Sequence, residues 1–342
     1  MPAIYLGITD CPSGALLFDS RDALLERISG TMTTAYFSHP NYLNHVTPPH
    51  HPEQVARIEH IEAAMATPAF SALVRLEAPL CDDDDILLCH PKDHLDRLTN
   101  AQPSNGQTAL DGDTFLSSGS LNAARRAVGA NIAAIDGLID GLFTNAFVAC
   151  RPPGHHAEQS TPMGFCLFGN AAIAAKHAIK RHGLERVVVV DFDVHHGNGT
   201  QALLQDESRS LFISSHQSPL WPGTGNKHET GMHNNVRNFP LPPNSDGRLM
   251  RTTFETEILP KIMNFEPELI IISAGFDAHT DDPLAQLNWS TEDYTWLTRR
   301  ICDVADRHAK GRVVSTLEGG YDLTALAASV AAHVTVLMER AE

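Results

Sequence analysis

Asp191, Asp193 and His195 stand at alternate positions at the end of a run of four valines, in the stretch Val-Val-Val-Val-Asp-Phe-Asp-Val-His-His-Gly-Asn-Gly-Thr-Gln at 187–201. The valine run reads as a strand buried on both faces, of the kind found inside a parallel sheet. While the chain stays extended, the three polar side chains point the same way, out of the strand's carboxyl end, where open α/β sheets place their ligands. Two carboxylates and an imidazole suit a divalent metal such as Zn²⁺, and one more oxygen or nitrogen ligand would still leave a coordination position for water. Gly197 and Gly199 would let the chain turn close to whatever is bound.

The other chemically suggestive residues recur in similar settings. After a strand ending at Cys150 comes Arg-Pro-Pro-Gly-His-His-Ala, a stiff loop presenting His155 and His156, residues suited to proton transfer near neutral pH. Gly164-Phe165-Cys166 puts an aromatic beside a glycine in the same loop, and Leu220-Trp221-Pro-Gly-Thr-Gly225 does so again. Asp277, in Gly-Phe-Asp after a strand ending at Ala274, is the natural further metal ligand. Glu318-Gly-Gly-Tyr321 follows a strand ending at Leu317, and its phenol could donate to a developing oxyanion. Scattered histidines at His39, His45, His50 and His51 are irregularly spaced and read as solvated or capping residues rather than ligands.

The elements that must position these residues alternate. Strands are expected at 34–38, 86–89, 146–150, 187–192, 210–214, 269–274 and 312–317. Helices are expected at 53–65, 121–143, 170–182, 248–264, 291–309 and 323–338, which predicts an α/β fold: one parallel sheet flanked by helices on both faces. Asp82–Asp85 reads as a solvated turn, lacking the spaced ligands and central glycine of a calcium loop. Residues 101–120 read as a long surface loop, and loops of that length in a compact domain are usually functional. With 342 residues and no evident linker, one domain is expected over 32–342, preceded by an arm at 1–31 that shows little core-forming periodicity and should be dispensable.

Composition narrows the class. A formal charge of −16 argues against a nucleic-acid partner, with 42% hydrophobic and 19% charged residues marking a globular chain. The six cysteines include no Cys-x-x-Cys pair, so free thiols in a reducing, cytoplasmic setting are expected. No apolar run reaches the ~18 residues of a membrane helix, so no membrane partner is expected.

Six ordered motifs together carry a resemblance. Arg-Pro-Pro-Gly-His-His (151–156), Gly-Phe-Cys (164–166), Asp-Phe-Asp-Val-His-His-Gly-Asn-Gly-Thr (191–200), Pro-Gly-Thr-Gly (222–225), Ala-Gly-Phe-Asp-Ala (274–278) and Glu-Gly-Gly-Tyr (318–321) look like the histone deacetylase family, in its class II-like bacterial branch. The resemblance runs from about residue 33 to the C-terminus and implies the arginase/deacetylase fold, with the active site at the carboxyl edge of the strands. It also implies zinc-dependent hydrolysis of an acetyl or other acyl amide on a primary amine, with one Zn²⁺ per chain. Carried over by position, Asp193, His195 and Asp277 would hold the Zn²⁺. His156 would be general base and acid with His155 beside it, and Tyr321 the oxyanion donor. Asp191 would hold His155 and, with Ser214, belong to a structural K⁺ site. Asn198 would pair with His156 where class I members have an Asp, a departure typical of the class II-like branch. Gly164, Phe165, Trp221 and Leu284 would line the substrate tunnel.

The implied substrate is acetyl-lysine. An acetylpolyamine amidohydrolase has the same motifs but typically a longer insertion before the first core helix than 101–120 offers. A ureohydrolase would need a second Asp in the loop after 274, and a non-catalytic acyl-lysine binding module would be expected to lack the tyrosine. The oligomer is left open, a homo-oligomer included.

Overall fold

The computed structural model describes residues 33–341, so the expected arm at 1–31 lies outside the described residues. Eight parallel strands form the main sheet: β1 (Thr34–Ser38), β2 (Val74–Glu77), β5 (Asn145–Val148), β6 (Val187–Asp191), β7 (Ser210–Gln217), β8 (Val236–Leu241), β9 (Leu269–Ala274) and β10 (Val313–Leu317). A short antiparallel hairpin adds β3 (Gln107–Ala109) and β4 (Phe115–Ser117). The sheet order is β2-β1-β5-β10-β9-β6-β7-β8. Strands β5, β6, β9 and β10 are buried along their whole length, which explains the unbroken aliphatic runs of β6 and β9. Helices Ala56–Met65, Thr291–His308 and Leu323–Arg340 pack together as one layer, and Ser120–Ile139 and Asn170–His182 as the other. The expected fold class, a single parallel sheet between helical layers, is the one observed.

Sheet order concentrates the chemistry. The loops after β5, β6, β9 and β10 carry every motif around the two carboxylates and the histidines, and these four strands are adjacent at the centre of the sheet although two of them come late in the chain. Their carboxyl ends therefore open onto one crevice.

Several expectations need correction. The apolar segment 86–89 is not a strand: Asp83–Ile86 is a short helix, with Asp85 accepting from the Asp82 N–H at 3.0 Å, so the acidic run is a helix start that complements the helix dipole. The edge strands β2 and β8 were not foreseen. Pro240 argues against a strand by sequence, but β8 is an outer strand with one unpaired side, where a missing N–H is tolerated. The helix expected over 248–264 carries a π turn at Phe254–Ile258 just before Pro260, which cannot donate a helical hydrogen bond. The 101–120 segment contains the β3–β4 hairpin rather than irregular loop alone.

Candidate active site

The strand holding Asp191 ends there, and the next turns are made by the carboxylates themselves. Asp191 Oδ1 accepts from the Asp193 N–H at 3.1 Å, and Asp193 Oδ1 accepts from the His195 N–H at 2.9 Å. The alternate spacing thus folds as successive Asx turns rather than continuing extended, and it separates the three residues. Asp193 and His195 meet Asp277, whereas Asp191 turns to His155, its Oδ2 lying 3.0 Å from Nδ1.

Asp193, His195 and Asp277 are buried with their potential ligand atoms within 4.8 Å of one another. His195 Nδ1 lies 3.1 Å from Asp193 Oδ1 and 3.2 Å from Asp277 Oδ2. Ligands ~2.0 Å from a tetrahedral centre stand about 3.3 Å apart, so the spacing suits a small borderline dication. The second oxygen of each carboxylate is already held, Asp193 Oδ2 by the Gly319 N–H at 2.8 Å and Asp277 Oδ1 by the Val194 N–H at 2.9 Å. Only glycine can sit at 319, since an added Cβ would come 2.2 Å from Asp277 Oδ2. Burial and the neighbouring Asp193 charge push the Asp277 carboxyl up to about 7. Burial opposes charge on His195, yet its hydrogen bonds to the two carboxylates carry it up to about 10. Facing buried carboxylates that must recruit a proton are a site built for positive charge, so the residues fit the expected metal.

The two loop histidines differ in environment. Burial would lower His155, but the Asp193 and Asp191 charges raise it well above its usual range. His156 is pushed well below that range by burial and then by the His155 charge. Its Nδ1 lies 2.8 Å from Asn198 Oδ1. The Asn198 amide is oriented from behind, its Nδ2 donating to Glu158 Oε1 at 2.8 Å, so Oδ1 faces His156 and accepts the Nδ1 proton. His156 Nε2 is left as the basic nitrogen.

A cavity of about 350 Å³ opens above these groups, lined among others by His156, His195, Phe165, Trp221, Leu284 and Tyr321. Gly164 also lines it, at φ +54°, and a Cβ there would come 2.5 Å from His156 and 2.6 Å from Trp221. The Tyr321 ring packs edge-on to Phe165 at 5.9 Å, and its backbone N–H donates to Asp282 Oδ2 at 2.7 Å. Ser214 pairs across the sheet with Asp191, and its hydroxyl is 2.9 Å from His216 Nδ1.

Some of this machinery was not foreseen. Glu318 lay inside a recognised motif without a role: its carboxylate accepts from the Gly154 and His155 N–H groups at 2.7 and 3.1 Å and from Ser273 at 3.0 Å, fixing the His155 backbone. His45 and His51 are not solvated. His45 is buried 3.3 Å from Glu53, while His51 packs edge-on to Phe165 at 4.8 Å and lines the cavity. His39 does act as a cap, accepting from the Asn41 N–H at 3.0 Å. Glu53 binds Arg151 through both oxygens at 2.5 and 2.7 Å. It also binds Arg57 at 3.1 Å, and Arg57 in turn donates to the Glu318 and Gly320 carbonyls at 2.5 and 2.7 Å. A fully buried ion network thereby ties the His/Pro loop to the two loops that carry His155 and Tyr321. Glu158, and the hairpin residues Asp113 and Phe115 in the cavity wall, were likewise unassigned.

A parallel α/β sheet with a buried Asp/His/Asp group and a histidine pair at its carboxyl edge is the arginase/deacetylase fold. Sequence comparison matches residues 51–337 to the histone deacetylase domain. Among similar proteins, "Histone deacetylase 14, chloroplastic" of Arabidopsis thaliana is 38% identical, covering 84% of this chain and 73% of that protein. The "Histone deacetylase-like amidohydrolase" of Pseudomonas aeruginosa is 37% identical, covering 79% and 72%. A crystal structure of the HDA15 HD domain superimposes with a TM-score of 0.86 at 32% identity, covering 91% of this chain and 89% of that one. The chain belongs to the histone deacetylase family and is a hydrolase of that family, whose members are typically zinc-dependent.

Proposed function

We propose that the protein hydrolyses the acetyl amide of Nε-acetyl-lysine with one Zn²⁺ held by Asp193, His195 and Asp277. The observation that carries this reading is the convergence, at the floor of a largely apolar passage, of that group with a histidine whose Nδ1 proton is tied up and a tyrosine. When bound, zinc supplies a Lewis acid that lowers the pKa of water towards ~7. His156 Nε2 accepts the nucleophile's proton and returns it to the leaving amine, and its depressed basicity favours that return. His155, held cationic by the Asp193 and Asp191 carboxylates, adds positive charge beside the reacting carbonyl. Tyr321 donates to the oxyanion as it forms. Gly164, Phe165, Trp221 and Leu284 exclude water around a slim alkyl chain.

The pairing of Asp191 with Ser214 across β6 and β7 supports the K⁺ reading, which predicts faster turnover in K⁺ than in an equal concentration of Na⁺. The five described cysteines are buried and free, which favours a reducing, cytoplasmic compartment, and among the described residues no helix is long and apolar enough to cross a membrane.

A polyamine substrate would fit the same apolar walls. Side-by-side kcat/KM values for acetyl-lysine peptides and for acetylated spermidine and putrescine test the assignment. Preference for the polyamines by tenfold or more overturns it in favour of the acetylpolyamine reaction.

A further inference from the structure

A second cluster of metal-binding side chains lies away from the crevice. Asp136 is in the last turn of Ser120–Ile139, and His177 and His182 are in the last turns of Asn170–His182. Those helices lead into the amino ends of β5 and β6, so the cluster sits at the edge of the sheet opposite the catalytic group. Both imidazole Nε2 atoms aim at one atom, Asp136 Oδ1, at 2.7 Å for His177 and 2.6 Å for His182. The potential ligand atoms of all three residues lie within 4.8 Å of one another. His182 is fixed by the helix stop at Gly183, whose N–H bonds back to Ala178.

Exposure supports a ligand site more than a closed ion pair. The side chains are 10% exposed for His177, 19% for His182 and 37% for Asp136, so the cluster opens to solvent on its carboxylate side. That leaves an entry path and room for water to complete a coordination shell. Two imidazoles and one carboxylate on a shared point suit a borderline cation of the later transition series, and they are too few oxygens for calcium or magnesium.

We propose that Asp136, His177 and His182 form a second metal site, for Zn²⁺ or a similar borderline divalent cation, that clamps the ends of these two helices together. The site is independent of the catalytic centre and of the substrate assignment.

Untagged full-length protein equilibrated with micromolar Zn²⁺, desalted and assayed for zinc tests this, with His182→Ala and Asp136→Asn beside it. Wild type is expected to retain one zinc equivalent more than either variant, whatever the catalytic centre holds, and to gain more melting temperature on zinc addition than the variants, in which only the catalytic centre responds. Metal-free melting curves establish that both partly exposed substitutions leave the fold intact, and turnover at saturating zinc should match wild type. Equal zinc content in wild type and both variants, or a thermal response to zinc no larger in wild type than in the variants, overturns the proposal.

Discussion

Replacing Tyr321 with Phe isolates one step of the proposed chemistry. The ring is positioned by neighbours that do not use its hydroxyl: Phe165 edge-on at 5.9 Å, the Arg57 guanidinium 5.0 Å from its centroid, and Asp282 through the backbone. No hydrogen bond among the described residues engages the phenol, so the substitution should leave packing, folding and zinc content unchanged. What is lost is one donor to charge that exists only in the transition state. One such donor is worth roughly 2.7–4 kcal/mol, or about 10²–10³ in kcat, with KM little altered. Burial and then the Asp277 charge push the phenol well above its ordinary value, so the donor proton is present throughout neutral pH and the loss should not vary with pH there. A trifluoroacetyl substrate, with its carbonyl already activated, should suffer less. Steady-state kinetics on both substrates with metal analysis decide the matter. If the variant mainly raises KM, or turns over normally, Tyr321 is a cavity wall and the oxyanion is stabilised by other groups.

Four further outcomes are expected. Asp193→Ala and Asp277→Ala should each lose zinc and activity together, since one of three protein ligands is gone, whereas His156→Ala should lose activity and keep its zinc; a zinc-free His156→Ala protein would move that residue into the coordination shell. Glu158→Ala should lower kcat by about 10–100-fold and move the acid limb of kcat/KM to lower pH, because the amide that orients His156 loses its anchor and the protonated imidazole loses a nearby anion; an unchanged pH profile would show that Asn198 alone suffices. Arg151→Ala should destabilise the fold by about 3–5 kcal/mol in denaturant titrations, because buried Glu53 loses the partner that binds both its oxygens and keeps only Arg57 and His45, while the buried Tyr42 and His45 carbonyls lose their donor. Burial would raise the Glu53 carboxyl, but Arg151 and His45 hold it well below 4.5. Its folded-state value being depressed, its contribution is complete above the ordinary carboxylate range and is lost as pH falls through and below that range; a wild-type stability flat from neutral pH into strong acid would contradict this.

The chain by itself determined the fold class and most of the chemistry, because both are written locally. Unbroken β-branched and aliphatic runs such as 187–190 and 269–272 read as central parallel strands, and the polar residues directly after them then emerge at the carboxyl edge. Asp193, His195, Asp277, the two histidines and Tyr321 could therefore be placed at that edge from the sequence, whereas Phe165, Trp221 and Leu284, which the structure puts in the cavity wall, were assigned there only through the family resemblance.

What only the tertiary structure decided depends on sheet order and on long-range partners. No local pattern says that β10 inserts between β5 and β9, which is what brings Glu318 under the His155 backbone and Gly319 onto Asp193. Nor does alternate spacing say that Asp191 leaves the group of three, since that follows from turns its own carboxylate makes. Glu53 and Arg151 are 98 residues apart, and each alone reads as a surface charge. Such a pair is stable in the interior only once both partners are desolvated together, a condition that no single stretch of sequence can express.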